Sequence, residues 1–594
     1  MEDFFEIIVK GGRKILNKVK SKKYIEVASI PDGVSEIIDF AFSGCSSLKS
    51  IEIPDSVSVI GNCAFSDCSA LTSIEIPSSV NKIGWAAFSH CSSLTSIKIP
   101  SSVSVIESGA FCGCSVLTSV EIPDSVTEIG DEAFYGCTAL TSIDIPDSVK
   151  KIGEGAFSLC SLPVPIVFNG VLISVPIDTA GAYTISKGIF RIGKHAFSCC
   201  KDITSVDIPD SVKEIGDWAF SDCVKITSIE IPDSVKEIGE GAFSGCSSLM
   251  SIEIPDSVSK IRDCMFLLSN LRSIKIPDSV TEIGNKAFGY CSFLTLIDIP
   301  NSVSVIGNDA FYGCSFSSIE IPESVTLIGN SAFCNCSFLT SIKIPKSVYL
   351  IKSHTFSFCS SLTSIEIPNT VWDIEDSAFF GCSALVSIDI PDSVKSIGKE
   401  AFCGCKLLES VVIPDSVKKI GEGAFCGCKS LESVVIPDSV IELGERVFTG
   451  CLLPYPIIFN NLLIYIPADT VGSFSVQKGV SKIGKKAFYG CQFITSVKIP
   501  ASVSKIEDMA FGGCSALTSI SFSESVPKIN RFAFTEHNIK TIHISQKNPQ
   551  LIDVDEISVI LNPSQSTLYI PIGSAYRYRH HPYFCQFKEI IEER

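Results

Sequence analysis

The sequence predicts a β-rich solenoid of about 21 stacked coils, most of them 23 residues long. Three observations support this fold class. A phenylalanine recurs at a fixed interval, each interval contains the alternating pattern of a short strand, and no segment has the periodicity of a long helix. A period of roughly 20 to 30 residues indicates a unit that is too small to bury its own apolar face and must stack on its neighbours.

The recurring phenylalanine marks one position in each coil. Sixteen of the intervals between neighbouring anchors are 23 residues long, two are 22 and two are 40, and the two long intervals divide the coils into blocks of 6, 12 and 3. The repeat therefore fills most of the 594-residue chain. The anchors are Phe42, Phe65, Phe88, Phe111, Phe134, Phe157, Phe197, Phe220, Phe243, Phe266, Phe288, Phe311, Phe333, Phe356, Phe379, Phe402, Phe425, Phe448, Phe488, Phe511 and Phe534.

The coil around Phe134 illustrates the elements of each unit. Val120, Glu121 and Ile122 alternate apolar, polar, apolar, as in a short strand with one buried face. Pro123 ends the strand because it lacks a backbone donor, and the polar residues after it favour a turn. Apolar side chains after the turn then return to the core, and Gly130 is predicted to permit another bend. Each coil is predicted to contain a strand, a turn and a short extended or 3₁₀ segment, joined in a parallel ladder.

The repeat also resembles a known family. The string LTSIEIPSSVNKIGWAAFSHC, with its IP, IG, AF and C positions, is similar to the leucine-rich repeats of the BspA-like family, also called the Treponema pallidum type. The resemblance covers about Ile25 to Ile544. It implies a curved leucine-rich-repeat solenoid from a family whose members are often surface-exposed or secreted and bind host proteins or other cells.

The ends of the chain depart from the repeat and predict small helical terminal caps, residues 1–24 and 545–594 around a solenoid at 25–544. Phe4, Phe5 and Ile7 are expected to cover the open edge of the first coil, because an uncapped solenoid exposes core side chains. The alternative is a weak contact of this basic segment with an anionic membrane. The segment lacks the apolar stretch of an export signal. Near the other end, residues 567–591 begin like a strand and are predicted to continue as a helix.

The two long intervals each insert 17 residues of nearly the same sequence, near 161–180 and 452–471. Asn169 and Gly170 interrupt an apolar run in the first insert, and Asn460 and Asn461 do so in the second. Asn-Gly between apolar residues is a strong signal for a β-hairpin. The inserts are predicted to be hairpins, either structural elaborations or contact points for a partner.

Nineteen of the 27 cysteines occupy one position, three residues after the anchor phenylalanine. They are predicted to form a buried column of reduced thiols, because equivalent side chains of successive coils point the same way and do not converge on a disulfide. Cys403, Cys405, Cys426 and Cys428 form two Cys-Gly-Cys pairs on neighbouring coils. They leave three interpretations open: a zinc site, a redox-labile pair, or the copying of one unit.

The polar position of each strand is the candidate binding surface. Eleven of 19 such positions are acidic, and the lysines among the acids relieve repulsion between neighbouring strands. These charges either keep a long sheet soluble or attract a basic partner or divalent cations, with Val412 and Val435 as an apolar spot. The partner-binding candidates are Glu230, Glu253, Lys275, Asp298, Glu320, Lys343, Glu366, Asp389, Val412 and Val435.

Composition and motifs restrict the function. The net charge of −17 argues against nucleic-acid binding, and no apolar run is long enough to cross a membrane. The seven histidines are scattered and no nucleophile or phosphate-binding motif is present, so neither an enzyme nor a cofactor or metal site is predicted.

The sequence therefore predicts a monomeric, non-enzymatic protein–protein interaction module. The family resemblance implies an adhesin or surface binding protein that uses the curved sheet. The alternative is an intracellular scaffold or regulatory protein, favoured by the missing export signal and by a thiol count that suits a reducing compartment. The location is left open between the cell surface and the cytoplasm.

Overall fold

The computed structural model describes residues 5–19, 25–558, 560 and 562–593. It divides into two compact units, Met1–Val303 and Ser304–Arg594. Within each unit the chain forms coils that are stacked about 23 residues apart and joined by short parallel strands. The predicted solenoid of stacked coils is confirmed.

Each coil contributes to two ladders. In the first ladder, Ser119–Glu121 pairs in parallel with Ser96–Lys98 of the preceding coil and with Ser142–Ile143 of the next. In the second, Glu128–Ile129 pairs in parallel with Val105–Ile106 and Lys151–Ile152. The predicted short extended segment is therefore a second strand of two residues.

In the first unit, the first-ladder strands are Val27–Ser29, Ser50–Glu52, Ser96–Lys98, Ser119–Glu121, Ser142–Ile143, Ala180–Thr184, Asp202–Asp207, Ser228–Glu230, Ser273–Lys275 and Leu296–Asp298. The second-ladder strands are Val34–Ile37, Val59–Ile60, Lys82–Ile83, Val105–Ile106, Glu128–Ile129, Lys151–Ile152, Arg191–Ile192, Glu214–Ile215, Glu237–Ile238, Lys260–Ile261 and Glu282–Ile283. Hairpins are formed by Phe5–Lys10 with Arg13–Val19 and by Ile166–Phe168 with Val171–Ser174.

In the second unit, the first-ladder strands are Ser318–Ile319, Ser341–Lys343, Ser364–Glu366, Ser387–Asp389, Ser410–Val412, Ser433–Val435, Gly472–Ser475, Ile494–Ile499, Ser519–Phe522, Thr541–Ile544, Thr567–Pro571 and Glu589–Glu593. The second-ladder strands are Val305–Ile306, Leu327–Ile328, Leu350–Ile351, Asp373–Ile374, Ser396–Ile397, Lys419–Ile420, Glu442–Leu443, Lys482–Ile483, Lys505–Ile506 and Lys528–Ile529. Ile457–Phe459 and Leu462–Tyr465 form a hairpin, the α-helices are Val554–Ser558 and Ala575–Arg579, and the 3₁₀ helices are Pro549–Leu551, Pro563–Gln565 and Phe584–Gln586.

The anchor phenylalanines form the centre of the core. The rings of Phe65, Phe88 and Phe111 stack face to face, with centroids 5.3 and 5.6 Å apart, and all three are buried. The spacing is fixed by the backbone, since the amide of Phe65 donates to the carbonyl of Ala87 in the next coil at 2.8 Å. The coils therefore stack in register through both hydrogen bonds and aromatic contacts.

The chain around each anchor turns tightly rather than forming the 3₁₀ segment that the sequence allowed. In the coil of Phe134, the residues two before and two after the ring, Glu132 and Gly136, have φ angles of 54° and 73°. Left-handed residues interrupt a helical run. The segment that carries the phenylalanine is therefore a series of turns.

The role predicted for Gly130 was wrong. Gly130 does not have a positive φ, so it is not needed for a bend. A Cβ added there would lie 2.5 Å from the backbone nitrogen of Ser108. The glycine is needed because two coils approach closely at this point.

The N-terminal cap is a β-hairpin, which corrects the predicted helical cap at this end. Gly11 and Gly12 have φ angles of 59° and 78°, the left-handed geometry of a two-residue hairpin turn. Phe5 is buried and lies edge-on to Phe42, with centroids 5.9 Å apart. Phe4 lies outside the described residues. The hairpin covers the first coil through Phe5.

The two inserts repeat the topology of this cap. Arg13–Val19 pairs with Phe5–Lys10 on one side and with the parallel strand Val34–Ile37 on the other. Val171–Ser174 does the same between Ile166–Phe168 and Arg191–Ile192, and Leu462–Tyr465 between Ile457–Phe459 and Lys482–Ile483. Each insert therefore begins a new set of coils.

The aromatic contacts support this interpretation of the inserts. Tyr183 lies edge-on to Phe197 at 5.3 Å, and Phe474 lies edge-on to Phe488 at 5.5 Å, as Phe5 does to Phe42. The inserts are internal caps of the aromatic stack, a role that goes beyond the elaboration or contact point considered from the sequence.

The C-terminal segment continues the first ladder. Thr541–Ile544, Thr567–Pro571 and Glu589–Glu593 pair in parallel, and the helix Ala575–Arg579 lies between the last two strands in sequence. Tyr578 of this helix is buried and contacts Phe584 edge-on at 5.1 Å. The predicted strand and helix are present. The helix ends earlier than predicted, and the last residues of the segment form the strand Glu589–Glu593 instead.

Candidate protein-binding surface

All ten candidate residues are exposed. Each occupies the polar position of a first-ladder strand or the equivalent place in its coil. Within the first unit, Glu230 is in register with Asp207, and Lys275 with Asp298. Glu253 occupies the same position in a coil whose segment is not a regular strand. Each of these side chains is therefore available to a partner along one side of the first unit.

In the second unit the same position changes from charged to apolar along the ladder. Lys343 is in register with Glu366, Asp389 with Val412, and Val412 with Val435. Val412 and Val435 are 77% and 74% exposed. Two neighbouring valines thus present an apolar surface where other coils present a carboxylate or an ammonium group.

Among the described residues, the charged positions of the first ladder form few ion pairs with one another. Lys98 lies 3.5 Å from the in-register Glu121, as the sequence predicted for a lysine between acids. Lys343 instead approaches Glu323, outside the strand, at 3.9 Å. Such exposed pairs contribute little to stability, so they compete only weakly with a partner for these charges.

A groove borders Val435, the second of the two valines. It has a volume of about 870 Å³, and its walls are the strand Ser433–Val435 and the hairpin strand Ile457–Phe459. Val435, Ile441, Tyr455 and Ile458 are among the exposed apolar side chains that line it. Sequence reasoning missed this groove because the hairpin was expected but its position beside Val435 was not. The apolar residues of the insert were the sequence feature that could have indicated the groove.

The cysteine column is buried, as each of its described thiols lies in the core. The Sγ atom of Cys246 donates to the carbonyl of Phe220 at 3.2 Å. Burial raises the pKa of the Cys246 thiol to about 12. Because the thiolate is the reactive form, these cysteines are structural rather than nucleophilic.

One pair off the column overturns the geometric argument against disulfides. Cys403 and Cys426 form a disulfide between equivalent positions of neighbouring coils, with their Cα atoms 4.5 Å apart. At this separation, side chains that point the same way still bring their sulfurs together. Cys405 and Cys428 remain in the buried column. Of the three interpretations of this group, the geometry supports the redox-labile pair, which is joined here by a disulfide.

Native thiol labelling is expected to separate these classes of cysteine. An aromatic disulfide reagent should react rapidly with the exposed Cys585, while the column thiols should react only on unfolding. A thiol with a pKa of about 12, as in Cys246, has about a thousandfold less thiolate than an ordinary one. The measurement is the release of the aromatic thiol with and without denaturant. Cys585→Ser should remove the fast phase, and a fast phase from many thiols in the native protein would contradict the buried column.

The described residues contain no grouping of three or more His, Cys, Asp or Glu side chains that could hold a metal ion. In the same part of the chain, no helix combines the length and the apolar character that crossing a bilayer requires. His195 is half-buried, and burial with the nearby Lys194 lowers its pKa to about 4, so it is neutral near pH 7.

A family model described as a BspA type leucine rich repeat region matches the sequence in six copies, at residues 14–117, 81–174, 180–295, 283–409, 395–475 and 481–554. Similar solved structures include a leucine-rich repeat protein from Eubacterium ventriosum, 22% identical over 54% of this chain and 88% of that chain, with a TM-score of 0.44. One from Bacteroides ovatus is 23% identical over 88% and 98%, with a TM-score of 0.25. A leucine rich cell surface protein from Faecalibacterium prausnitzii is 24% identical over 88% and 94%, with a TM-score of 0.29. A search of the curated proteins finds no match.

Proposed function

This chain belongs to the BspA-type leucine-rich repeat family, and on that premise we propose that it is a non-catalytic protein-binding module whose partner docks on the strand face of the second unit. The observation that carries the proposal is the pair Val412 and Val435, in register and about three-quarters exposed. Apolar side chains at the centre of a surface patch are typical of the residues that dominate binding energy.

The surroundings of the two valines define the chemistry of the partner. Asp389 precedes Val412 on the ladder, and Glu366 precedes Asp389 by one coil. On the other side the patch continues into the groove beside Ile441 and Ile458. A protein surface with an apolar centre and a basic rim on one side would complement this arrangement, because the centre loses water while the rim steers the encounter.

The family resemblance favours an adhesin or surface binding protein. The alternative is an intracellular scaffold, which is favoured by one observation, the column of buried thiols that are not joined in disulfides, such as Cys246 and Cys382. Labelling of surface proteins on intact cells distinguishes the two proposals. Protection of the protein from the label would reject the adhesin, and labelling would reject the scaffold.

Introducing a carboxylate into the apolar patch is expected to abolish partner binding. Val412→Glu and Val435→Glu should each weaken binding at least about tenfold, because the added charge loses its hydration at the centre of the interface. The measurement is capture of proteins from candidate host and self extracts on the immobilised chain, followed by titration of the captured partner against each variant.

Leu551→Glu is the matched control, since Leu551 is 70% exposed in the C-terminal cap of the same unit and the substitution adds the same charge. It should leave capture unchanged. Neutralising Glu366 and Asp389 should lower the association rate constant and leave the dissociation rate constant nearly unchanged, because these charges act on the encounter. Full capture by both valine variants would move the binding site away from this face.

A further inference from the structure

The first ladder is interrupted at each insert in a way that leaves a strand edge without its usual neighbour. In a regular coil the first strand begins about eight residues after the anchor phenylalanine, as Ser142 does after Phe134. After Phe157 this place is taken by the hairpin strand Ile166–Phe168, which pairs with Val171–Ser174 instead. Ser142–Ile143 is therefore the last strand of its sheet.

The second insert shows what such an edge binds. Ser433–Val435 is likewise the last strand of its sheet, but the hydroxyl of Tyr455 covers it. This hydroxyl accepts from the amide of Val434 at 3.1 Å and donates to the carbonyl of Val434 at 3.4 Å. These are the two bonds that a neighbouring strand would make to this residue. Tyr455 thus replaces the missing strand at the second insert.

The first insert lacks this cover. The residue equivalent to Tyr455, seven positions after the anchor phenylalanine, is Val164, which has no hydroxyl and is 64% exposed. Ile143 occupies the same place in its coil as Val434. Its amide and carbonyl therefore face the first insert, as those of Val434 face the second. Ile143 and Ile145 are half-buried, whereas Val434 is buried to 6% exposure. The edge at the first insert is therefore open to an extended chain.

The charge on this edge indicates the composition of that chain. Asp144 is the exposed polar residue of the edge and makes no ion pair with another described residue. Two coils earlier, Lys98 lies 3.5 Å from Glu121, the in-register residue of the neighbouring strand. A lysine or arginine facing Asp144 would form the same pair.

We propose that the edge formed by Ser142–Ile145 binds an extended segment of a partner protein by strand addition, with alternating apolar residues and a basic residue opposite Asp144. Main-chain hydrogen bonds to Ile143 supply affinity, and the two half-buried isoleucines and Asp144 supply specificity. The site lies in the first unit and is independent of the valine patch in the second.

The test exchanges the tyrosine between the two inserts. The probe is a labelled peptide that copies Leu94–Ser102, an existing strand of the ladder with Lys98 at its polar position, and binding is followed by anisotropy and calorimetry with the full chain. The wild-type protein should bind one equivalent. Val164→Tyr should weaken binding at least about tenfold, because its hydroxyl takes the two backbone bonds. Tyr455→Val should uncover a second, weaker site, because Val435 stands at the place that Asp144 holds in the first edge.

The control peptide carries methyl groups on the backbone nitrogens that correspond to Ser96 and Lys98, which would face the edge in a parallel strand, and it should not bind. Absence of wild-type binding, equal binding by Val164→Tyr, or equal binding of the methylated peptide would each overturn the proposal. A dimer of the wild-type chain that Val164→Tyr dissociates would make the occupant a second copy and would also overturn it. Because Val164 is exposed, circular dichroism should confirm that the variant keeps its fold.

Discussion

Replacing one stacked phenylalanine by alanine, as in Phe220→Ala, is expected to destabilise the first unit by about 3 to 5 kcal/mol. Phe220 is completely buried, and its ring lies between those of Phe197 at 4.8 Å and Phe243 at 5.5 Å. Alanine loses the transfer free energy of the ring and leaves a cavity that neighbouring rings cannot fill, because the backbone fixes their spacing. Urea unfolding followed by circular dichroism measures the change.

The matched control is Phe293→Ala in the same unit, since Phe293 is 53% exposed and should cost less than about 1 kcal/mol. Phe220→Leu should give an intermediate loss, because leucine fills most of the volume without stacking. Because each coil contacts mainly its neighbours, the loss should appear first as exchange of amides in the coils of Phe197 and Phe243. Equal destabilisation by the buried and exposed substitutions would show that the aromatic column does not hold the stack.

The sequence predicted the parts of the fold that repeat. The positions of Phe220, Cys246 and Glu230 followed from periodicity alone, because a residue at a fixed place in a stacked coil has the same surroundings each time. The exposure of Glu230 followed from the alternation of polar and apolar residues along its strand, since neighbouring residues of a strand face opposite sides. These inferences needed no knowledge of distances between coils.

The features that do not repeat could not be predicted in the same way. The hairpin at Asn460 was expected from its turn residues, but its partner strand depends on which ladder it joins, and only the three-dimensional arrangement decides that. The hydrogen bonds of Tyr455 to Val434 depend on the same placement. The disulfide of Cys403 and Cys426 depends on a Cα separation of 4.5 Å, which sequence spacing does not specify. The open edge at Ile143 is visible only once these pairings are known.

Tyr578→Ala is expected to have a comparably large effect at the other end of the chain, where it should open the C-terminal cap. Tyr578 is completely buried, its hydroxyl donates to the carbonyl of Gln546 at 2.5 Å, and its ring contacts Phe584 at 5.1 Å. Alanine should destabilise the cap by about 3 to 5 kcal/mol through the lost ring, with a further loss from the unpaired carbonyl. The apolar residues Leu568 and Ile570 of the adjacent strand would then meet solvent.

The consequence differs from that of an internal substitution because a terminal coil has a neighbour on one side only. An opened cap exposes the end of the ladder, and an unpaired strand edge with apolar neighbours promotes association. We therefore expect Tyr578→Ala to give early proteolytic cleavage within residues 562–593 and concentration-dependent aggregation, measured by limited proteolysis and light scattering. Tyr578→Phe keeps the ring and should cost only about 1 to 2 kcal/mol, without aggregation. If Tyr578→Ala stayed resistant to protease and monodisperse, the segment would not be the element that closes the solenoid.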